Sequence, residues 1–275
     1  MTTPQENPSS NRRWLLIGGA VVVVLAIAGG LFWYLDRDVP EEASLEGALE
    51  AVADDTAVTT TTAGETATTA VDEGTVETTT TAAPADDAEG PGLDGAWAVD
   101  TSIGEFSFEE ATATFVGFRI KEVLSGLGDV EAVGRTPEVS GTMEIEGSTI
   151  TAVEIDANLD AIITNDSRRD RRAKGALNTG EFPTASFLLT EPIELGEVPA
   201  DGERLAATGL GTLTINGIAN PVEIEIEAQR EGDLIVVVGS TNVVFSDWNV
   251  EVPSAPIVVS VEDNGTVELQ LWFSR

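Results

Sequence analysis

Cysteine and histidine are both absent from the 275 residues. Without cysteine there is no disulfide framework and no thiolate nucleophile. Without histidine as well, the usual zinc ligand sets and the Ser-His-Asp relay drop out. Positive charge is scarce: 14 Lys and Arg stand against 48 Asp and Glu, a formal net charge of −34. That balance excludes nucleic acid as a partner, because phosphate contacts need a basic face. Catalysis would be left to carboxylate pairs, nominally among Asp100, Asp156, Asp160 and Asp247. Acids on the outward parity of strands serve solubility, so no catalytic residue, metal ligand or cofactor is assigned.

The chain has one long uncharged run, Trp14–Leu35, of 22 residues. As a helix it is about 33 Å long, enough to cross a bilayer. Trp14, Trp33 and Tyr34 stand at its ends, where interfacial aromatics sit. Arg12 and Arg13 precede it, so the positive-inside rule puts residues 1–13 in the cytoplasm and everything after 35 outside. The expected organisation is a cytoplasmic N-terminus (1–13), a transmembrane helix (14–35), a linker (36–92) and a folded domain (93–275), single-pass in the cell membrane. The rival reading is a signal peptide cleaved after Ala26-Ile27-Ala28, but the apolar run is long for one. Val39 to Pro91 contains no Lys, Arg or aromatic residue and is rich in Thr and acids. Such a segment buries too little to offset its ordering entropy and reads as a disordered tether, with a weak helix at Ala43–Ala53.

Alternation of period two dominates the domain. Val153, Ile155, Ala157 and Leu159 interleave with Glu154, Asp156 and Asn158, and Gly147-Ser148 separates them from Met143 and Ile145. Phe106 and Phe108 interleave with Glu105, Ser107 and Glu109. Val267, Leu269, Leu271 and Phe273 interleave with Glu268, Gln270 and Trp272. Each strand then has an apolar face and a polar, solvated one, as in antiparallel sheet. Asn216-Gly217 is the preferred two-residue hairpin turn, which sets Gly211 opposite Val222, Gly209 opposite Ile224 and Ala207 opposite Ile226. About eight to ten strands with no long helix to cover a sheet predict an all-β, antiparallel closed barrel with one or two short helices.

The pattern breaks at Thr164–Phe187. Arg168, Arg169, Arg171, Arg172 and Lys174 crowd together, while Ala173, Ala176 and Leu177 recur at helical spacing. Ser167 is the expected N-cap, Asp170 its capping-box partner and Gly180 the stop. Arginines in a first helical turn oppose the helix dipole, so two readings stand side by side. Arg168 and Arg169 form an anion site, or they pair with carboxylates of the acidic barrel.

Together, Trp97-Ala98-Val99-Asp100, Phe115-Val116-Gly117-Phe118, Thr164 through Arg169-Asp170 to Phe182-Pro183-Thr184-Ala185-Ser186-Phe187, and Gly209–Gly217 with Pro221-Val222 resemble the YceI family of bacterial extracytoplasmic proteins. The resemblance covers Leu93–Arg275. Where many relatives carry His and Leu after the Arg-Asp pair, this chain has Arg171, Arg172 and Ala173. The resemblance implies a lipocalin-like barrel around an apolar pocket for an isoprenoid chain, without catalytic residues. The expected lining is Phe106, Phe108 and Phe118; Val153, Ile155, Ala157 and Leu159; Gly209, Gly211 and Leu213; Ile224 and Ile226; Leu269 and Leu271. Arg168 and Arg169 are the candidate head-group site. The expected function is a membrane-tethered extracytoplasmic binder or carrier of an isoprenoid lipid, a polyprenyl phosphate or quinone. The alternative is a non-catalytic structural or interaction module of the envelope. A homodimer is compatible with either.

Overall fold

The computed structural model describes residues 39–50, 52, 92–165, 167–252, 256 and 258–275, so the apolar run at 14–35 and most of the linker lie outside the described residues. Among the described residues no helix is long and apolar enough to cross a membrane. The alternating stretches form antiparallel strands: β1 Gly95–Val99, β2 Phe115–Leu124, β3 Gly128–Thr136, β4 Val139–Glu146, β5 Thr149–Asn158, β6 Ile163–Thr164, β7 Thr184–Leu189, β8 Ile193–Glu194, β9 Arg204–Ile215, β10 Ile218–Glu231, β11 Leu234–Val244, β12 Val258–Val261 and β13 Asn264–Ser274. A helix, α1 (Ser167–Ala176), and two 3-10 turns, Leu159–Ala161 and Phe245–Trp248, complete the fold.

Eight strands close on themselves in the order β1-β4-β5-β7-β9-β10-β11-β13, with β13 pairing back to β1. Closure leaves no free edge in the ring. One edge of β13 is shared: β2 runs along Thr266–Gln270 and β1 along Phe273–Ser274. From β2 the sheet continues to β3 and β6. The Asn216-Gly217 hairpin has the register its turn predicts, with Gly211 opposite Val222, Gly209 opposite Ile224 and Ala207 opposite Ile226. Both turn residues have positive φ, 51° and 72°, the left-handed pair that this turn requires and that Asn and Gly tolerate.

Three expectations change. Phe106 and Phe108 are not on a strand but in the half-buried segment between β1 and β2. Side-chain turns hold that segment instead: Asp100 Oδ1 accepts from Ser102 N and Oγ, and Ser107 Oγ accepts from Glu109 N and Glu110 N. Such local bonds compete with ladder formation. In α1, Ser167 lies inside the first turn rather than capping it, and Asp170 Oδ1 reaches back to Thr164 N and Oγ1, both at 2.7 Å. The left-handed residue after α1 is Asn178, not Gly180, and Thr179 N bonds back to Lys174 O at 3.0 Å.

The third change concerns residues 40–50, expected within the linker. They lie on the outside of the barrel, helical over 45–50. Leu45 and Ala48 are buried against Val236, Val238 and Trp272. Beside them the outward side chains of β13 are buried too, Glu268 at 3%, Gln270 at 0% and Trp272 at 0% exposure, although their alternation reads as a solvated face. Gln270 Nε2 donates to Ala111 O and Ala113 O, and Trp272 Nε1 to Thr112 O. The segment between β1 and β2 is therefore the second part of the cover.

Candidate functional site

The inward residues fall into two groups. One group packs the end of the barrel next to α1: Leu159, Ala185, Leu213, Ile215, Val243, Phe245 and Trp248 are buried together, with Leu177 from the α1 side and Val222 against them. Trp248 Nε1 donates to Leu213 O at 3.2 Å, and Asn216 Nδ2 to Trp248 O at 3.1 Å, which ties this end to the hairpin turn. The other group surrounds a cavity of about 100 Å³. Met143, Ile145, Ile150, Val153 and Ile155 line it from β4 and β5, Phe187 and Leu189 from β7, and Leu205 and Gly209 from β9. Ile224, Ile226, Ile235, Val237, Leu269, Leu271 and Phe273 complete the wall, and Leu93, Ile193, Leu195 and Pro199 contribute from outside the ring. Polar lining is confined to Glu203, Gln229 and Arg230. Arg230 Nε donates to Gly232 O at 2.9 Å, in the turn between β10 and β11.

Glycines set the cavity's extent. A Cβ on Gly209 would meet nothing nearer than the Ile193 and Leu189 methyls at 3.7 and 3.8 Å and Ile224 O at 4.0 Å, so its missing side chain is part of the open space. A Cβ on Gly211 would lie 2.2 Å from the Phe187 ring. That ring occupies the room Gly211 leaves, so one glycine opens the cavity and the next one along the same face helps to close it.

Of the expected lining, Val153, Ile155, Gly209, Ile224, Ile226, Leu269 and Leu271 do face the cavity. Phe118 points inward but not to the cavity, its ring filling the space above Gly134. Ala157 lies in the core beside the cavity group, Leu159 and Leu213 lie in the packed end, and Gly211 lies under Phe187. Phe106 and Phe108 lie in the segment between β1 and β2 and not in the cavity wall; Phe108 O accepts from Arg135 Nη1 at 3.2 Å. Arg168 and Arg169 are away from the cavity lining. Arg169 donates to Asn165 Oδ1 at 2.6 Å and lies 3.6 Å from Glu122 Oε2, the carboxylate-pairing alternative. The cavity residues between Ile193 and Glu203 carry no periodic signal, and no sequence pattern singles them out.

The strongest electrostatics lie on the outer face. Arg119 and Arg135 donate through Nε to the two oxygens of Glu268 at 2.9 and 3.0 Å, all three side chains being buried. Gly117 makes room for this: a Cβ there would fall 3.0 Å from Arg135 and 3.4 Å from Glu268. Burial pulls the Arg119 guanidinium down, but the Glu268 and Glu131 carboxylates outweigh it and its pKa stands above the ordinary arginine value. Burial outweighs Glu268 at Arg135, whose pKa stands below that value. Hydrogen bonds from Ser102, side chain and then backbone, hold the Asp100 carboxyl below its ordinary 3.8. No cluster of three or more acids that could hold a metal occurs among the described residues.

Residues 106–273, more than half of the chain, match the sequence model of the YceI-like domain. A UPF0312 protein of Enterobacter sp. (strain 638) is 32% identical over 127 residues, 46% of this chain and 61% of that protein. Protein YceI of Salmonella arizonae is 31% identical over 129 residues, with the same two coverages of 46% and 61%. The chain thus spans about three fifths of the length of these curated relatives. Among solved structures, BcnA of Burkholderia cenocepacia aligns with a TM-score of 0.48 at 17% identity, over 63% of this chain and 98% of that one. A polyisoprenoid binding domain from Saccharophagus degradans, implicated in plant cell wall breakdown, gives 0.48 at 14%, over 65% and 97%.

Proposed function

We propose that this chain, which belongs to the YceI-like family, binds the apolar chain of an isoprenoid-type lipid in the barrel cavity. The observation that carries the reading is the cavity wall: aliphatic and aromatic side chains from seven barrel strands, with polar groups limited to Glu203, Gln229 and Arg230. Desolvating such a wall favours apolar surface at roughly 25 cal/mol per Å² buried, and apart from those three residues its side chains offer no partner to a buried polar group. A cavity of about 150 Å³ takes one benzene ring, so the 100 Å³ space takes roughly four carbon-sized groups, close to one isoprene unit. A longer tail requires Phe187 and its neighbours to turn aside.

Anchoring in the cell membrane with the barrel outside rests on the sequence, through the apolar run at 14–35 and the arginines before it. An anchored barrel would search one membrane for its lipid, raising the effective concentration of that encounter. The test is gentle purification of the whole chain, native mass spectrometry and solvent extraction. An isoprenoid adduct that survives in the wild type and is missing from Gly209→Leu supports the reading. The second reading, a packed structural module, is favoured by the small volume of the cavity. It becomes the better account if the wild type never acquires isoprenoid from lipid vesicles that contain it.

A further inference from the structure

Arg119, Arg135 and Glu268 project from the outer face of β2, β3 and β13, yet they are buried. Two cations share the Glu268 carboxylate, Arg119 Nη1 also donates to Glu131 Oε2 at 2.8 Å, and the other guanidinium donors turn to main-chain carbonyls. Arg119 Nη2 donates to Pro40 O at 2.8 Å and Glu41 O at 2.6 Å, and Arg135 Nη2 also reaches Glu41 O. In return Glu268 Oε2 accepts from Ala43 N at 3.3 Å, and Glu41 N donates to Glu109 O at 3.0 Å. Only backbone atoms of residues 40–43 are used. Such a cradle recognises the main chain of a peptide first, and the Glu41 carboxylate adds an attraction to Arg135. One turn further on, Leu45 and Ala48 provide the apolar half of the contact, on Trp272, Val236 and Val238.

These strands have a second face. Val236 lies between Ile235 and Val237, and Trp272 between Leu271 and Phe273; the outward residues touch the docked segment and the inward ones line the cavity. We propose that the outer face of β2, β3, β11 and β13 is a peptide-binding site which the chain fills with its own residues 40–50, and that filling it braces the cavity wall formed by β11 and β13. The docked segment and a cavity ligand then stabilise the same two strands, so each strengthens retention of the other. Covalent attachment makes the chain's own segment the occupant that outcompetes a second copy. The docking stands independently of the lipid reading, whereas its effect on ligand exchange rests on that reading.

The test uses the full chain, amide hydrogen exchange and the apolar fluorophore N-phenyl-1-naphthylamine as cavity probe. Ala48→Glu places a charge at a fully buried position among apolar side chains, at a residue outside the cavity. Its expected effect is at least a tenfold rise in exchange at residues 43–48, a several-fold rise in β11 and β13 with β4 and β5 unchanged, and probe release at least threefold faster. Leu45→Ala should show the same pattern in smaller measure, and it decides the matter if Ala48→Glu does not fold. Unprotected amides at 43–48 in the wild type would overturn the docking. Released 43–48 with unchanged β11, β13 and probe release would overturn the bracing. Protection at 43–48 that grows with protein concentration would mean that a second copy supplies the segment, and would overturn the intramolecular form. If the wild type excludes the probe, the cavity reading fails, while the exchange of 43–48, β11 and β13 still decides this proposal.

Discussion

Strands β5 and β13 carry the same alternation and meet different surroundings. In β5 the inward Ile155 and Ala157 are buried, while outward Ala152 and Glu154 are exposed and Asp156 is half-exposed. In β13 the inward Leu271 and Phe273 are buried, and so are outward Glu268, Gln270 and Trp272. A period of two states that a strand has two faces; it does not state what lies on the second. β5 faces solvent there, whereas β13 faces residues 40–50 and the segment between β1 and β2. The comparison also shows what a polar outward residue can be. Glu154 has solvent around it, but Glu268 is the anion that holds two buried arginines.

The largest effect should come from the covered face. Glu268→Ala leaves Arg135 buried without its carboxylate and Arg119 with Glu131 alone, which should cost about 3–5 kcal/mol in chemical denaturation. A loss under 1 kcal/mol would mean that the face is wet and the contrast with β5 unfounded. Next comes the pair of inward glycines. Gly211→Leu drives a side chain into the Phe187 ring and should destabilise by at least about 1–3 kcal/mol. Gly209→Leu enters open space and should cost less than Gly211→Leu while abolishing apolar-probe uptake. Equal losses at the two positions would mean that no cavity exists at Gly209.

A smaller effect is expected at acid pH. The Asp100 carboxyl is held below 3.8 in the folded chain. A depressed pKa contributes stability that is complete above the unfolded value and is lost as pH falls through the folded one. Asp100→Asn should therefore be less stable than the wild type by a constant amount above about pH 4, and the gap should close as the pH falls below that value; a gap that stays constant through the acid range would contradict the assignment. The smallest effect is on the solvated side, where Glu154→Lys should change stability by less than about 0.5 kcal/mol. A melting shift comparable to that of Glu268→Ala would erase the distinction between the two strands.

Much of the barrel was legible in the residues because its signals are local. The Asn216-Gly217 turn permits one register, and a one-residue slip would have sent Gly209 and Ile224 to opposite faces. Gly147-Ser148 bounded the β4–β5 hairpin in the same way. The helical spacing after Thr164 gave α1 its place. The alternation at Phe106 and Phe108 misled because a strand also needs a partner, and Ser102 and Ser107 offered their neighbours local bonds first.

The candidate site divides along the same line. Alternation by itself determined which residues face inward, since the pleat sends successive side chains to opposite faces. It could not separate Gly209 from Gly211, which have the same parity and the same chemistry, because the difference is the Phe187 ring arriving from β7. Nor could it show that a stretch as acidic and aromatic-free as residues 40–50 would lie buried on the barrel. Composition predicts only what a segment can bury alone. The Arg119–Glu268–Arg135 cradle that receives the segment is assembled from β2, β3 and β13, residues far apart in the chain, and so exists only once the barrel has closed.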